Sequence, residues 1–305
     1  MRVEVDKYSG FCGGVIRAIN RAESFLQNNQ GSSLYSLGAI VHNDAELERL
    51  AQLGLTTIDY DDLSQVSDAH GHTLLIRAHG EPPTTYVRAE ALGFEIVDCT
   101  CPVVLDLQRS IREAHAKCVE EGKGGQIVIF GQIGHAETLG LMGQVEGTVG
   151  VENMQMLLQA IEEGRIALDR PVEIFSQTTN SPSEYAEVCS YLEQQGVDLR
   201  VHNTICTQVA ARQSRLMEFA GKHDVIVFVS GKASSNGKVL SSLCKKTNIR
   251  TYHIESASEL NVQWFRPDDN VGVCGATSTP RWLLEEVSAK ILEIGENFPN
   301  FAAEK

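Results

Sequence analysis

Three cysteines share one local context that favours metal binding. Each follows a short apolar strand pattern and a turn, and a helical pattern begins directly after it: Val3-Glu-Val5 precedes Cys12, Phe94-Glu-Ile-Val-Asp98 precedes Cys101, and Leu199-Arg-Val-His202 precedes Cys206. A cysteine at the start of a helix faces free backbone N–H groups and the positive end of the helix dipole, which favour the thiolate. Because thiolate is the form that binds metal, the three side chains could meet on one metal centre.

Three thiolate ligands would leave one position of such a centre open, because four ligands close an iron–sulfur cluster or a structural zinc site. The open position is where chemistry could occur. Thiolates select iron–sulfur clusters, zinc or copper(I), and these alternatives remain open on residue type alone. The cysteines are single and widely spaced, which argues against a zinc ribbon with paired C-x-x-C knuckles.

The other five cysteines lack this context. Cys118, Cys189, Cys244 and Cys274 lie in helical or strand patterns without a glycine turn, and we assign them to packing. Cys99 is ambiguous, because it lies only two residues from Cys101. A disulfide framework is not expected in a chain of 305 residues that we place in the cytoplasm, where thiols stay reduced.

A second set of chemical groups follows the apolar strands, where open parallel sheets bind ligands. These groups are His42, His79, His135, Glu137, Thr178, Ser234, Ser235, Asn236 and Ser278. Together they predict a donor-rich pocket with almost no lysine or arginine. Histidines, hydroxyls, amides and helix N-termini can bind a diphosphate, provided that some histidines are protonated. Glu137 is the one carboxylate of the set and is suited to supply protons in a reduction that ejects water.

The elements that must position these groups alternate along the chain. Short β-rich runs such as Gln126–Phe130 and Asp224–Ser230 alternate with helical patterns, which predicts an α/β fold with mainly parallel sheets. The cysteine context recurs at about the length of one small α/β domain. We therefore expect three pseudo-equivalent domains around a central cluster: residues 1–98 with Cys12, 99–200 with Cys101, and 201–305 with Cys206.

Composition limits the partners. With 26 Lys and Arg against 40 Asp and Glu, the net charge is −14, so neither nucleic acid nor an anionic membrane is an expected partner. The first residues have no apolar segment of a secretory signal, and no stretch approaches the length of apolar residues that spans a bilayer. These features predict a cytoplasmic location.

The motifs, taken together, resemble the family of 4-hydroxy-3-methylbut-2-enyl diphosphate reductases. The resemblance covers residues from about 10 to 283 and rests on motifs in the family's order: Gly10-Phe-Cys-Gly-Gly, Val41-His-Asn43, Ala78-His-Gly80, Cys101-Pro-Val103, Gly134-His-Ala-Glu137, Gln177-Thr-Thr179, Thr204-Ile-Cys206, Ser234-Ser-Asn236 and Ser278-Thr-Pro280. No single motif is specific, but their combination is.

This resemblance implies the last step of the non-mevalonate isoprenoid pathway, in which an allylic hydroxyl is removed to give isopentenyl and dimethylallyl diphosphate. It implies a [4Fe–4S] cluster on Cys12, Cys101 and Cys206, whose fourth iron binds the substrate alcohol. Glu137 matches the proton donor, with His135 beside it, and Thr178 matches the threonine that orders the substrate hydroxyl. Residues matching the diphosphate site are His42, His79, His135, Ser234, Ser235, Asn236 and Ser278. Electrons would come from a ferredoxin or flavodoxin.

The chain departs from the family pattern in two places. Val209 stands where the family usually has threonine, and Ala276-Thr277 stands where Gly-Ala is usual, which should crowd the turn around Ser278. Both changes concern substrate affinity. Two other functions are compatible with the residues: a non-redox iron–sulfur hydro-lyase, which needs no electron donor, and a cluster-dependent sensor without turnover.

Overall fold

The computed structural model describes residues 1–29, 32–66 and 69–298. They form three four-stranded sheets in which every strand pair is parallel. The first sheet contains β2 (Leu34–Leu37), β3 (Leu55–Ile58), β4 (Thr73–Ile76) and β5 (Glu95–Asp98). The second contains β6 (Gln126–Phe130), β7 (Val149–Val151), β8 (Val172–Ser176) and β9 (Leu199–His202). The third contains β1 (Arg2–Val5), β10 (Val225–Val229), β11 (Thr251–Ile254) and β12 (Asn270–Gly275). The predicted α/β class with parallel sheets is confirmed.

Helices connect the strands. They are α1 (Gly13–Asn28), α2 (Asp44–Gln52), α3 (Pro83–Leu92), α4 (Pro102–Glu120), α5 (Ala136–Met142), α6 (Met154–Glu162), α7 (Pro182–Gln194), α8 (Thr207–Gly221), α9 (Ser235–Thr247) and α10 (Arg281–Glu296). Glycine ends α3, since Gly93 takes φ +96° directly after Leu92. Among the described helices, none combines the length and the apolar character needed to cross a bilayer.

The strand order is the same in all three sheets: β3-β2-β4-β5, β7-β6-β8-β9 and β11-β10-β12-β1. Both central strands of the second sheet, β6 and β8, are buried along their whole length, as expected for parallel strands covered on both faces. The edge strands β1, β5 and β9 are only partly buried. These three edge strands are the ones that lead to Cys12, Cys101 and Cys206.

Helices cover both faces of the second sheet. Leu107 and Ile111 of α4 pack with Ile127 and Phe175 on one face. On the other face, α7 contributes Tyr185, Val188 and Leu192 to a core with Val128, Phe130 and Ile174. In the third sheet, Val287 and Ile291 of α10 cover one face, and Leu216 of α8 and Leu240 of α9 cover the other. Burial of these apolar faces fixes the helices from which the predicted site residues project.

The chain forms two compact units. One contains the described residues of Met1–Gly13, Val41–Glu48 and Gln208–Lys305, and the other those of Gly14–Ile40 and Arg49–Thr207. The third sheet belongs to the first of these units because β1 pairs with β12, for example Val3 opposite Val271. The predicted three-domain division at residues 98 and 200 remains a prediction. The short strand pattern of β1 does not specify which strand it pairs with.

Candidate functional site

Burial separates the three predicted ligand cysteines from the rest. Cys12, Cys101 and Cys206 are half-buried, whereas Cys99, Cys118, Cys189, Cys244 and Cys274 are buried. Cys189 lies in the core beside α7, and Cys244 and Cys274 lie in the core between α9 and the third sheet. The assignment of Cys118, Cys189, Cys244 and Cys274 to packing is therefore confirmed. Cys99 is buried as well, and burial raises the pKa of its thiol to about 11.

Each half-buried cysteine directly precedes a helix or lies within one residue of its start. Cys101 is the N-cap of α4, with Pro102 as the first helical residue, and Cys206 precedes Thr207, the first residue of α8. Cys12 precedes Gly13, the first residue of α1. The free N–H groups of a helical first turn stabilise negative charge on the sulfur. The predicted sequence of strand, cysteine turn and helix is thus present three times.

The same backbone hydrogen bond anchors all three cysteines. The amide of Cys101 donates to the carbonyl of Ala78 (3.0 Å), that of Cys206 to Thr178 (2.9 Å), and that of Cys12 to Thr277 (3.3 Å). Each acceptor lies two residues after the end of the neighbouring central strand, β4, β8 or β12. The three turns are therefore equivalent in hydrogen bonding as well as in sequence order.

The donor set fits a cluster of iron and inorganic sulfide. It consists of three half-buried cysteines at helix starts, and thiolate is the ligand that such clusters prefer. Beside one of them, a Cβ on Gly13 would meet no described atom within 4 Å, so the turn at Cys12 leaves room for a bulky group. That the three sulfur atoms share one cluster stays a prediction.

Glu137 is a buried carboxyl group held by one threonine. The Thr178 amide donates to Glu137 Oε1 (2.7 Å), and the Thr178 hydroxyl donates to Oε2 (2.8 Å). Burial raises the pKa of Glu137 to about 7, and the two hydrogen bonds from Thr178 act in the opposite direction. Desolvation is the larger effect, because the side chain is almost completely removed from solvent. Near neutral pH the group can therefore carry a proton and give it up, which a general acid requires.

His135 is oriented by its own helix and by Gln177. It is the N-cap of α5, where its Nδ1 accepts from the Glu137 amide at 3.2 Å. The Gln177 amide group adds a second bond, with Nε2 at 3.2 Å from the same nitrogen. Gln177 Oε1 accepts from the Gln132 amide (3.0 Å), so the nitrogen of the Gln177 side chain is the atom that faces His135. The Nδ1 atom of His135 is thus an acceptor, and the neutral imidazole ring carries its proton on its own Nε2.

His79 lies beside His135 in the same unit. The ring centroids are 5.2 Å apart and the rings meet edge to face. His79 follows β4 of the first sheet, whereas His135 follows β6 of the second, so the polar loops of these two sheets meet. Their approach is close: a Cβ on Gly140 of α5 would lie 3.2 Å from the carbonyl oxygen of Gly80. The structure therefore brings His79, His135, Glu137 and Thr178 together within one unit, as part of the predicted pocket.

In the other unit, the first turn of α9 gathers the predicted hydroxyl and amide donors. Ser234 is the N-cap and accepts from the Gly237 amide (3.1 Å), while the Ser278 hydroxyl donates to Ser234 Oγ (3.0 Å). Asn236 Nδ2 donates to the hydroxyl oxygen of Thr277 at 2.9 Å. All four side chains, together with Ser235, are buried. A helical first turn with hydroxyls at its mouth is suited to bind an anion.

His42 belongs to the same unit as α9. It is half-buried and precedes Asn43, whose side chain caps α2 by accepting from the Glu46 amide (3.1 Å). Gly231, in the loop between β10 and α9, packs on the His42 carbonyl so tightly that a Cβ there would collide with it. The loop that carries His42 is therefore held against the loop that leads to Ser234.

Both departures from the family pattern have a clear structural setting. Val209 is buried in the first turns of α8, and Thr207 is exposed. The turn at Ala276 closes regularly, with the Thr279 amide donating to the Ala276 carbonyl (3.2 Å). Ala276 itself is fully buried against Phe228 and other residues of the core. The hydroxyl of Thr277 is engaged by Asn236, which the sequence did not indicate.

Sequence reasoning also missed a buried arginine–glutamate pair beside the His79 loop. Arg77 Nη2 lies 3.3 Å from Glu81 Oε1, and both residues are buried. Burial lowers the pKa of Arg77 to about 10 and raises that of Glu81 to about 8. The Arg77 guanidinium lies directly against Gly38, since a Cβ added to this glycine would collide with it. Arg77 therefore supports the start of the loop that leads from Gly38 toward His42. The only sequence signal was an arginine at the end of an otherwise apolar strand.

Comparison with known proteins gives one consistent result. Residues 3–292 match the model of the family described as LytB protein. A Bacteroides fragilis protein named 4-hydroxy-3-methylbut-2-enyl diphosphate reductase is 44% identical over 295 residues, covering 95% of this chain and 97% of that protein. A Parabacteroides distasonis protein of the same name is 45% identical over 300 residues, covering 96% and 98%.

Two solved structures are similar. One, titled as the structure of (E)-4-hydroxy-3-methyl-but-2-enyl diphosphate reductase, the terminal enzyme of the non-mevalonate pathway, is 31% identical with a TM-score of 0.69 and covers 96% of this chain and 100% of that one. The other, titled as the E-1-hydroxy-2-methyl-but-2-enyl-4-diphosphate reductase from Plasmodium falciparum, has a TM-score of 0.81 over 98% of this chain and 89% of that one. At 24% identity, the second likeness concerns the fold alone.

Proposed function

Because the chain belongs to the LytB protein family, we propose that it reduces 4-hydroxy-3-methylbut-2-enyl diphosphate to isopentenyl and dimethylallyl diphosphate. The chain is an oxidoreductase of the non-mevalonate isoprenoid pathway, in line with its relatives of 44% and 45% identity. The finer elements of the proposal are the substrate, the cluster, the residue roles and the electron donor.

One linkage carries the mechanistic proposal. Glu137, an acid whose pKa lies near neutrality, is held by Thr178, and the carbonyl of the same Thr178 holds the amide of Cys206. A proton donor is thereby tied, through one residue, to the turn of a candidate cluster ligand. A reduction that expels water needs electrons and protons at neighbouring points, and this linkage provides such an arrangement.

Cys12, Cys101 and Cys206 would hold the [4Fe–4S] cluster, which would pass the two electrons of the reduction, one at a time, from the electron donor to the substrate. The protein's own groups supply the protons. Two electrons and two protons break the allylic C–O bond, so that the hydroxyl leaves as water and a proton adds to the allyl carbon skeleton. Glu137 can deliver a proton through Thr178: once protonated, its carboxyl donates to Thr178 Oγ, and the Thr178 O–H is freed to donate to the substrate oxygen.

The diphosphate would be bound by histidines, hydroxyls and amides. These are His42, His79, His135, Ser234, Ser235, Asn236 and Ser278, together with the free N–H groups at the start of α9. His135 offers an Nε2–H donor because its Nδ1 is occupied by the Glu137 amide. Neutral donors and a helix dipole can hold an anion while the surrounding burial strengthens each bond. A ferredoxin or a flavodoxin is the proposed electron donor, and the cytoplasm the proposed location.

The test is anaerobic purification followed by an assay with the hydroxylated diphosphate, with and without a chemical reductant such as reduced viologen. The proposal predicts formation of both C5 diphosphates only when reductant is present. Turnover without reductant would contradict it in favour of a hydro-lyase, which uses an open metal site only as a Lewis acid. No turnover under either condition, in protein that carries a full cluster, would favour a sensor.

A further inference from the structure

The amide of Asn236 is only half satisfied. Its Nδ2 donates to Thr277 Oγ1 at 2.9 Å, whereas its Oδ1 has no hydrogen-bond partner among the described residues. Asn236 is 4% exposed and is the second residue of α9. A buried polar atom without a partner is costly, and natural structures keep one where a ligand or a rearrangement satisfies it.

The hydroxyl of Thr277 can become the missing hydrogen-bond partner of Asn236 Oδ1. A hydroxyl both donates and accepts, and rotating the Asn236 amide by half a turn exchanges its nitrogen and oxygen without changing its shape. After that rotation, Oδ1 accepts from the Thr277 O–H, and both protons of Nδ2 point to where Oδ1 was. Because an anion needs donors, the rotated amide is the form that binds phosphate.

We propose that Thr277 is a positioning residue for substrate binding: its hydroxyl holds Asn236 Oδ1 and thereby turns Nδ2 toward a phosphate group. The inference rests on the proposed diphosphate site and adds a residue to it. Alanine at this position would leave Oδ1 of the rotated amide without this partner. Thr277 therefore stabilises the amide orientation that presents Nδ2 to an anion.

The backbone and side chain of Thr277 have separate tasks, which makes the inference testable. The carbonyl of Thr277 accepts from the Cys12 amide, and a change of side chain leaves this bond in place. Ser278 reaches the α9 turn independently through Ser234. Thr277→Val keeps the shape and removes the hydroxyl, and Thr277→Ser keeps the hydroxyl and removes the methyl group, so the two variants form a matched pair.

The experiment compares wild type, both variants and Asn236→Ala in the anaerobically purified, cluster-loaded protein. Inorganic diphosphate is titrated by calorimetry, and kcat and KM are measured with a chemical reductant. Thr277→Val should weaken diphosphate binding and raise KM about five- to tenfold, the effect of one lost orienting hydrogen bond, with kcat within about twofold. Thr277→Ser should restore wild-type values. In the Asn236→Ala background, Thr277→Val should have no further effect.

Wild-type affinity in Thr277→Val would overturn the inference, and so would an effect that persists without Asn236. An equal loss in Thr277→Val and Thr277→Ser would also overturn it, since that pattern means packing of the methyl group. These outcomes are distinct from a failure of the proposed function, which would appear as absence of turnover in the wild-type protein itself.

Discussion

Helices α5 and α9 begin at corresponding points of two different sheets. β6 ends at Phe130 and α5 begins at Ala136, and β10 ends at Val229 and α9 begins at Ser235, so each helix starts six residues after its strand. The second helical residue is Glu137 in one and Asn236 in the other. Each is hydrogen-bonded to a threonine two residues after the adjacent central strand, Thr178 or Thr277.

The two threonines also have the same second task, because the carbonyl of Thr178 accepts from the Cys206 amide and that of Thr277 from the Cys12 amide. The direction of the side-chain bond is reversed, however: Thr178 donates to Glu137, whereas Asn236 donates to Thr277. One backbone arrangement therefore serves two chemistries. A carboxyl group at the second helical position gives an acid, and an amide group there gives a neutral donor for an anion.

The largest expected effect comes from replacing the acid at the start of α5 with an amide like the one at the start of α9. Glu137→Gln removes the transferable proton while keeping the size of the side chain, so kcat should fall by about 10²- to 10⁴-fold. The protein should keep the visible absorption expected of the proposed iron–sulfur cluster, and KM should change little. Steady-state kinetics with a chemical reductant, alongside an anaerobic spectrum, measure all three. Full kcat in this variant would remove Glu137 from the mechanism.

Replacing the amide at the start of α9 with an acid should weaken substrate binding. Asn236→Asp places a negative charge in the proposed diphosphate site, and the juxtaposition of like charges costs a few kcal/mol, so KM should rise about a hundredfold. The inhibition constant of inorganic diphosphate should rise in parallel, with a smaller change in kcat. Asn236→Ser, which keeps a neutral donor, is the control. An unchanged KM in Asn236→Asp would mean that α9 does not contact the diphosphate.

The pH dependence of kcat should distinguish the start of α5 from the start of α9. The pKa of Glu137 is raised to about 7 by burial, so the group is protonated and competent as an acid below that pH and loses its proton above it. With a single acid, kcat should fall about tenfold for each pH unit above about 7. The pH profile of Asn236→Asp should keep this alkaline limb, and that of Glu137→Gln should lack it. A wild-type kcat that stays constant through the alkaline range would contradict the assignment.

A smaller effect should follow from changing Gln177, which lies beside the start of α5 and has no polar counterpart beside α9. Gln177 bonds His135, Gln132, Thr138 and Thr179, and the corresponding residue after β12 is Ala276. Gln177→Leu leaves those partners unsatisfied, so the free energy of unfolding should fall by about 1–3 kcal/mol. Loss of His135 orientation should raise KM about fivefold, the equivalent of roughly 1 kcal/mol. Denaturant unfolding and steady-state kinetics of Gln177→Leu measure the two effects. An unchanged KM in this variant would exclude a role of Gln177 in orienting His135.

Much of this arrangement could be predicted from sequence because it is local. Each cysteine context lies within about ten residues, and its turn and helix follow from glycine, proline and apolar spacing. The polar motifs follow buried strands, so their position at strand ends was also predictable. The packing role of Cys244 and Cys274 was predicted from helical and strand patterns that lack a glycine turn.

The remainder depends on contacts between distant segments. The pairing of β1 with β12 joins residues from opposite ends of the chain, and no pattern in Arg2–Val5 specifies it. The bond between Asn236 and Thr277 joins two motifs that were recognised separately, and its existence depends on how two adjacent parallel strands are aligned. The Arg77–Glu81 pair was missed because charged residues are rarely so deeply buried.

The most direct test of the central claim is a cysteine series in anaerobically purified protein, with bound iron and sulfide as the measurement. Cys12→Ser, Cys101→Ser and Cys206→Ser should each lose most of the cluster. Cys99→Ser should retain it, because Cys99 is a buried thiol two residues from Cys101. A full complement of iron and sulfide in any of the first three variants, or its loss in Cys99→Ser, would contradict the ligand assignment.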